Sequence, residues 1–147
     1  MKDTKKILRI AVFNALDGNI TYSGNPVPIV DEKVRNSVPA DLFILLGSQF
    51  ESAIDRNSSA FITQSSIDLY ITQKVSAEVS KDAIDEVYED MLEIIFPTVG
   101  TLGIASASGF QFQEGFRESC NTQLVAITDT QSVLVSNVRL TFIITEQ

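Results

Sequence analysis

Few side chains in this chain could do proton or covalent chemistry, and most of those are acids. Asp41, Asp68 and Glu118 lie in three separate segments, so a carboxylate acid and base would exist only if the fold gathered them into one pocket. Nothing in their spacing asks for that. The chain has no histidine and one cysteine, Cys120. Ser-His-Asp, Cys-His and histidine-zinc sites are therefore excluded, and only carboxylate pairs or Ser-Lys dyads stay open. Cys120 can form no internal disulfide. With no base to activate it, it reads as a small buried or half-buried side chain rather than a nucleophile. These residue types predict a protein with no catalytic activity, metal or cofactor.

The charges are segregated along the chain. Lys2, Lys5, Lys6 and Arg9 hold four of the eleven Lys and Arg residues. They crowd the start of a helix predicted over 4–16, where the helix dipole mildly disfavours positive charge. Asp82, Asp85, Glu86, Glu89, Asp90 and Glu93 fill one half of a second helix predicted over 80–97, as a solvated face does. No Asp-x-Asp-x-Asp-Gly loop accompanies them to supply a calcium geometry. Each patch is either plain surface chemistry or a surface awaiting the opposite charge. If copies stand side by side, the basic helix of one meets the acidic helix of the next, a heterologous contact of the kind that closes rings. The net charge of −8 argues against a general nucleic-acid-binding surface, because phosphate repels acids.

The elements that position these groups follow from periodicity. In "TKKILRIAVFNAL", 4–16, Ile7, Leu8, Ala11, Val12 and Ala15 share one side of a 3.6-residue wheel, with Asp3 or Thr4 as cap and Asp17-Gly18 as stop. In "SKDAIDEVYEDMLEIIFP", 80–97, Ser80 caps, Pro97 ends, and Ala83, Ile84, Val87, Tyr88, Met91, Leu92, Ile94 and Ile95 form the apolar half. "DLFILLG", 41–47, predicts a buried strand ended by Gly47, followed by a polar loop over 48–60. From Phe61 to Val75, Ile67, Leu69 and Ile71 face one way while Asp68, Tyr70 and Thr72 face the other. The glycine-rich 98–109 segment predicts a flexible connection and lacks the Gly-Lys-Ser/Thr of a phosphate loop. Phe110, Phe112, Cys120 to Ile127 and Val133 to Thr145 read as strands around a turn at 128–131.

Together these predict an α+β fold: an antiparallel sheet with two amphipathic helices packed on one face, plus a long C-terminal β-hairpin. The chain of 147 residues reads as a single domain, with 98–147 an extended strand or arm elaboration on it. Its apolar runs fall far short of the ~20 residues of a membrane helix. The N-terminus lacks the small-residue cleavage site of a secretory signal, which predicts cytosolic synthesis.

Two sites concern edges. Pro26 and Pro28 flank Val27 in "ITYSGNPVPIVDEKV", 20–34. Proline offers no N–H to a ladder, so this strand lies at a sheet edge or pairs through one side only. It is a stiffened arm for a neighbour or an ordinary edge strand. Gln111, Gln113, Glu114 and Arg117 place polar groups on both faces of one strand, which suits an edge or a contact with another subunit.

The order of these features resembles a known family. The "Y-x-G-x-P-V-P" hairpin at Tyr22 to Pro28, the strand closing in "ILLG" at 44–47, "SIDLYI" at 66–71 and the amphipathic helix that follows resemble the tail-completion or tail-terminator proteins of tailed bacteriophages. The resemblance covers roughly residues 5–96. It implies a virion protein without enzymatic activity, built into a ring of about six or twelve copies at the neck after assembly in the host cytoplasm. Its partners would be itself, the portal-side connector and tail proteins, with DNA passing through the lumen without specific binding and no membrane contact. The subunit-interface candidates are then Lys5, Lys6, Arg9, Pro26, Val27, Pro28, Asp85, Glu89, Glu93, Gln111 and Gln113. The chain departs from the family's pattern after residue 97, which leaves open a terminator on a long tail or a connector ring in a short-tailed phage. A small protein-interaction or regulatory domain of a bacterial cytosol is the competing reading.

Overall fold

Helix α1 (Thr4–Leu16) starts where the Asp3 carboxylate accepts the Lys5 N–H at 2.9 Å, satisfying one of the free amides of the first turn. It buries Thr4, Leu8, Ala11, Val12 and Leu16; of the predicted stripe, Leu8, Ala11 and Val12 are buried while Ile7 and Ala15 are half-buried. Residues 3–31, 41–56, 61–75, 81–126 and 132–146 are described in this computed structural model. Strands β1 (Thr21–Tyr22) and β2 (Asn25–Pro26) close a two-residue hairpin. Its central residues, Ser23 and Gly24, have φ of 51° and 80°, the positive values that a type I′ turn requires.

The main sheet has five strands in the order β3-β4-β5-β7-β6, comprising β3 (Ile29–Asp31), β4 (Leu42–Arg56), β5 (Phe61–Val75), β6 (Phe110–Ala126) and β7 (Ser132–Glu146). The sheet is mixed, which corrects the antiparallel expectation, because β3 runs parallel to β4 with Ile29 opposite Ile44. Turn chemistry dictates antiparallel pairing only for strands joined by tight turns.

Strand β4 continues through the segment predicted as a loop, pairing antiparallel with β5 as far as Arg56 opposite Phe61; residues 57–60 of that loop lie outside the described residues. Gly47 does not end the strand. Its missing side chain makes room for the Tyr70 ring, against which a Cβ would clash. The register slips between Leu46 and Gln49 and again between Ala53 and Asp55. A slip moves the alternation into the opposite phase, which is why the polar run hides a strand.

Helix α2 (Asp82–Ile95) buries Ala83, Ile84, Val87, Met91 and Ile95 and carries Asp82 and Asp85 in its first turn, where acids suit the dipole. The predicted cap, Ser80, lies outside the described residues. Both helices lie on one face of the sheet, as predicted, and share a core with Ile44, Leu46, Ile67, Leu69, Ile71, Val138, Leu140, Phe142 and Ile144. Each such fully buried side chain contributes ~1.5–3 kcal/mol. Phe142 stacks on Phe96 (centroids 6.1 Å apart) and meets the edge of Phe112 at 6.2 Å.

The glycine-rich connection is tied down, with the Gly103 N–H donating to Ile95 O at 2.8 Å and Ile104 buried. The β6–β7 hairpin supplies the interior of the sheet, since β7 lies between β5 and β6; its predicted turn lies outside the described residues. β5 and β7 pair from Phe61 opposite Glu146 to Val75 opposite Ser132 with no slip. All four register slips add a residue to β4 or β6, two to each, so the bulges sit on the flanking strands and none on the central pair.

Candidate functional site

The predicted interface residues separate onto opposite edges of the sheet. At the β3/β4 edge, exposed Lys5 and Lys6 and half-exposed Arg9 line a concavity with Asp3, Asp31, Gly47 and Gln49. Gln49 Nε2 donates to Lys5 O at 2.7 Å, and the Thr4 N–H donates to Glu51 Oε2 at 3.0 Å, so β4 fixes the first turn of α1. Arg9 Nε lies 3.7 Å from Asp31 Oδ2. No ion pair engages Lys5 or Lys6 among the described residues. Lys2 lies outside them.

At the β6 edge, Asp85, Glu89 and Glu93 follow one another at four-residue intervals along α2. They line a groove with Tyr88, Leu92, Phe96 and Arg117. Arg117 Nη1 donates to the Tyr88 hydroxyl, and that bond raises the guanidinium pKa above its ordinary value. β6 is four strand spacings from β3, ~19 Å at ~4.8 Å per spacing, so the acidic groove and the basic concavity lie at opposite edges of the sheet.

The proline-flanked segment lies on its own domain. Val27 is 4% exposed and donates its N–H to Ile20 O at 2.9 Å, while Pro28 O accepts from Ile44 N at 2.9 Å. Pro26 ends β2 in the small two-stranded sheet and Pro28 lies between β2 and β3, so neither proline stands within β3, the edge strand of the main sheet. Pro26 is exposed, Pro28 half-buried, and Val27 belongs to the core. Gln111 and Gln113 are exposed on β6, and Gln113 stands at the slip between Phe112 and Glu114.

Of the three acids considered for catalysis, Asp41 lies apart, while Asp68 and Glu118 stand on either side of Arg139. Asp41 O accepts from Lys74 N at 2.8 Å, six residues along β5 from Asp68, ~20 Å away. Asp68 is gripped by Arg139, and Glu118 accepts from the Thr141 hydroxyl at 2.8 Å. Thr141 also bonds Ser66 Oγ at 2.8 Å. This polar network lies on the face away from the helices, and periodicity had marked only Asp68 of it. The polar alternation of Asp68, Tyr70 and Thr72 was the available signal, and it gives no pairing partner.

Cys120 is exposed, with Sγ 3.5 Å from Ser136 Oγ. This corrects the expectation of a buried or half-buried thiol: β6 is the outermost strand among the described residues. Among the described residues, no three His, Cys, Asp or Glu side chains form a metal-holding group. No helix among them is long and apolar enough to cross a membrane. What the arrangement offers is recognition by charge and shape at two unlike edges. No family model matches the chain, and no curated protein matches its sequence.

Proposed function

We propose that the chain is a structural subunit of a ring at the head–tail neck of a tailed bacteriophage, of the tail-completion or tail-terminator kind that its sequence resembles. One observation supports the reading: the basic concavity and the acidic groove are complementary surfaces on opposite edges of one sheet. A two-fold dimer needs a self-complementary patch, whereas unlike surfaces on opposite sides favour head-to-tail contact, which closes when the rotation closes. In this reading portal-side and tail proteins flank the ring, and DNA passes through a lumen whose acidic subunits, at −8 each, repel phosphate. The function involves no catalysis, cofactor or membrane, and the protein resides in the virion after assembly in the host cytoplasm.

The test is the mass of the purified protein by native mass spectrometry and light scattering across concentration, with negative-stain images of the same sample. Closed rings of about six or twelve subunits are the expected result. A monomer that captures a soluble basic partner favours the interaction-domain alternative, to which the open groove with half-buried Leu92 and Phe96 also lends itself.

A further inference from the structure

The ring reading leaves open how neighbouring copies touch. Two sheets set edge to edge can join by strand addition or by side chains. The four bulges all fall on β4 and β6, the strands that would have to pair across such a joint. Among the described residues β3 covers β4 only from Ile44 to Leu46, so the outer edge of β4 beyond Leu46 is where a neighbour's strand would land. Bulges there turn ladder groups out of register and discourage strand addition.

Side chains supply the other route. Because α1 and α2 lie on the same face of the sheet, bringing the β6 edge of one copy to the β3/β4 edge of the next places α2 beside the neighbour's α1. Asp85, Glu89 and Glu93 then repeat every ~6 Å along one helix, and Lys5 and Arg9 stand ~6 Å apart along the other. On the next stripe of α1, Lys6 is followed one turn later by Ile10, which is 46% exposed. The groove provides Leu92 and Phe96 between its acids and Arg117, apolar surface suited to Ile10 and to the methylene stems of the lysines.

We infer, resting on the ring reading, that the groove between α2 and β6 receives the N-terminal turns of α1 from a second copy, with Lys5, Lys6 and Arg9 on Asp85, Glu89 and Glu93. Copies join through these side chains and not through a shared β-ladder.

The test is charge reversal on each side. Lys5→Glu with Lys6→Glu makes both edges acidic, and Glu89→Lys with Glu93→Lys makes both edges basic. Each pair alone weakens assembly by about a hundredfold or more, while far-UV circular dichroism and urea midpoints stay near those of the wild type. All four reversals in one chain restore the wild-type assembly, and an equimolar mixture of the two reversed proteins forms particles containing both in equal number. Reversed proteins that assemble as the wild type does overturn the inference and leave the ring reading standing. A wild-type chain that stays monomeric at every concentration overturns both.

Discussion

Arg139 on β7 lies directly across from Asp68 on β5 and holds it with two nitrogens, Nε 2.7 Å from Oδ1 and Nη2 3.0 Å from Oδ2. The Arg139 guanidinium carbon sits 4.4 Å from the centroid of the Phe50 ring, so the cation has an aromatic neighbour as well as a carboxylate. Asp68 is 3% exposed, and a buried carboxylate without its cation is costly.

Arg139→Met therefore destabilises the fold by about 2–4 kcal/mol, and Asp68→Leu with Arg139→Met recovers most of that loss. Urea midpoints of the two variants check it; a single variant as stable as the wild type refutes the buried-pair account. The hydrogen bond to Asp68 raises the pKa of Arg139 above the ordinary guanidinium value. A raised pKa gives stability that is complete below the unfolded-state pKa and lost only as pH climbs through the folded one. Arginine's contribution is thus flat from neutral into moderately alkaline solution, and a step there in the wild type that is absent from Arg139→Met would contradict this.

Gly47 is matched to Tyr70 across β4 and β5, where the ring fills the place of a Cβ. Gly47→Ala costs about 1–3 kcal/mol, since the ring must move in a packed sheet. Replacing Tyr70 by Leu in the same chain returns part of the loss, and a double-mutant cycle measures the coupling. Additive losses would show that the two positions do not meet.

Cys120 is exposed on β6. One equivalent of a thiol reagent labels the native protein without denaturant, and Cys120→Ser changes stability by less than about 0.5 kcal/mol. Labelling that requires urea would place the thiol inside the fold.

Hydrogen exchange distinguishes the centre of the sheet from its rim. The unslipped β5–β7 ladder exchanges only through global opening, while β6 shows fast and slow amides in alternation. That alternation changes phase at the slips between Phe112 and Glu114 and between Arg117 and Ser119. Uniform protection along β6 in the monomer would contradict its place at the edge. In an assembly, protection gained by the side chains' contact without new β6 amide protection separates helix docking from strand addition.

Both helices and their buried stripes were legible in the amino-acid sequence, because a 3.6-residue period and the residues at helix ends are local signals. The same holds for the alternation of Ile67, Leu69 and Ile71. The basic and acidic groups could likewise be named from residue types alone. Tertiary structure decided the rest. Arg139 and Asp68 stand 71 positions apart, and no local period reports which residue will lie opposite another. The second half of β4 escaped because a bulge resets the two-residue period on which strand recognition depends. The parallel entry of β3 and the interior place of β7 are long-range pairings, set by which surfaces bury best together. They carry the two charged groups to opposite edges of the sheet, and only that placement turns a segregated charge pattern into two surfaces that can meet in neighbouring copies.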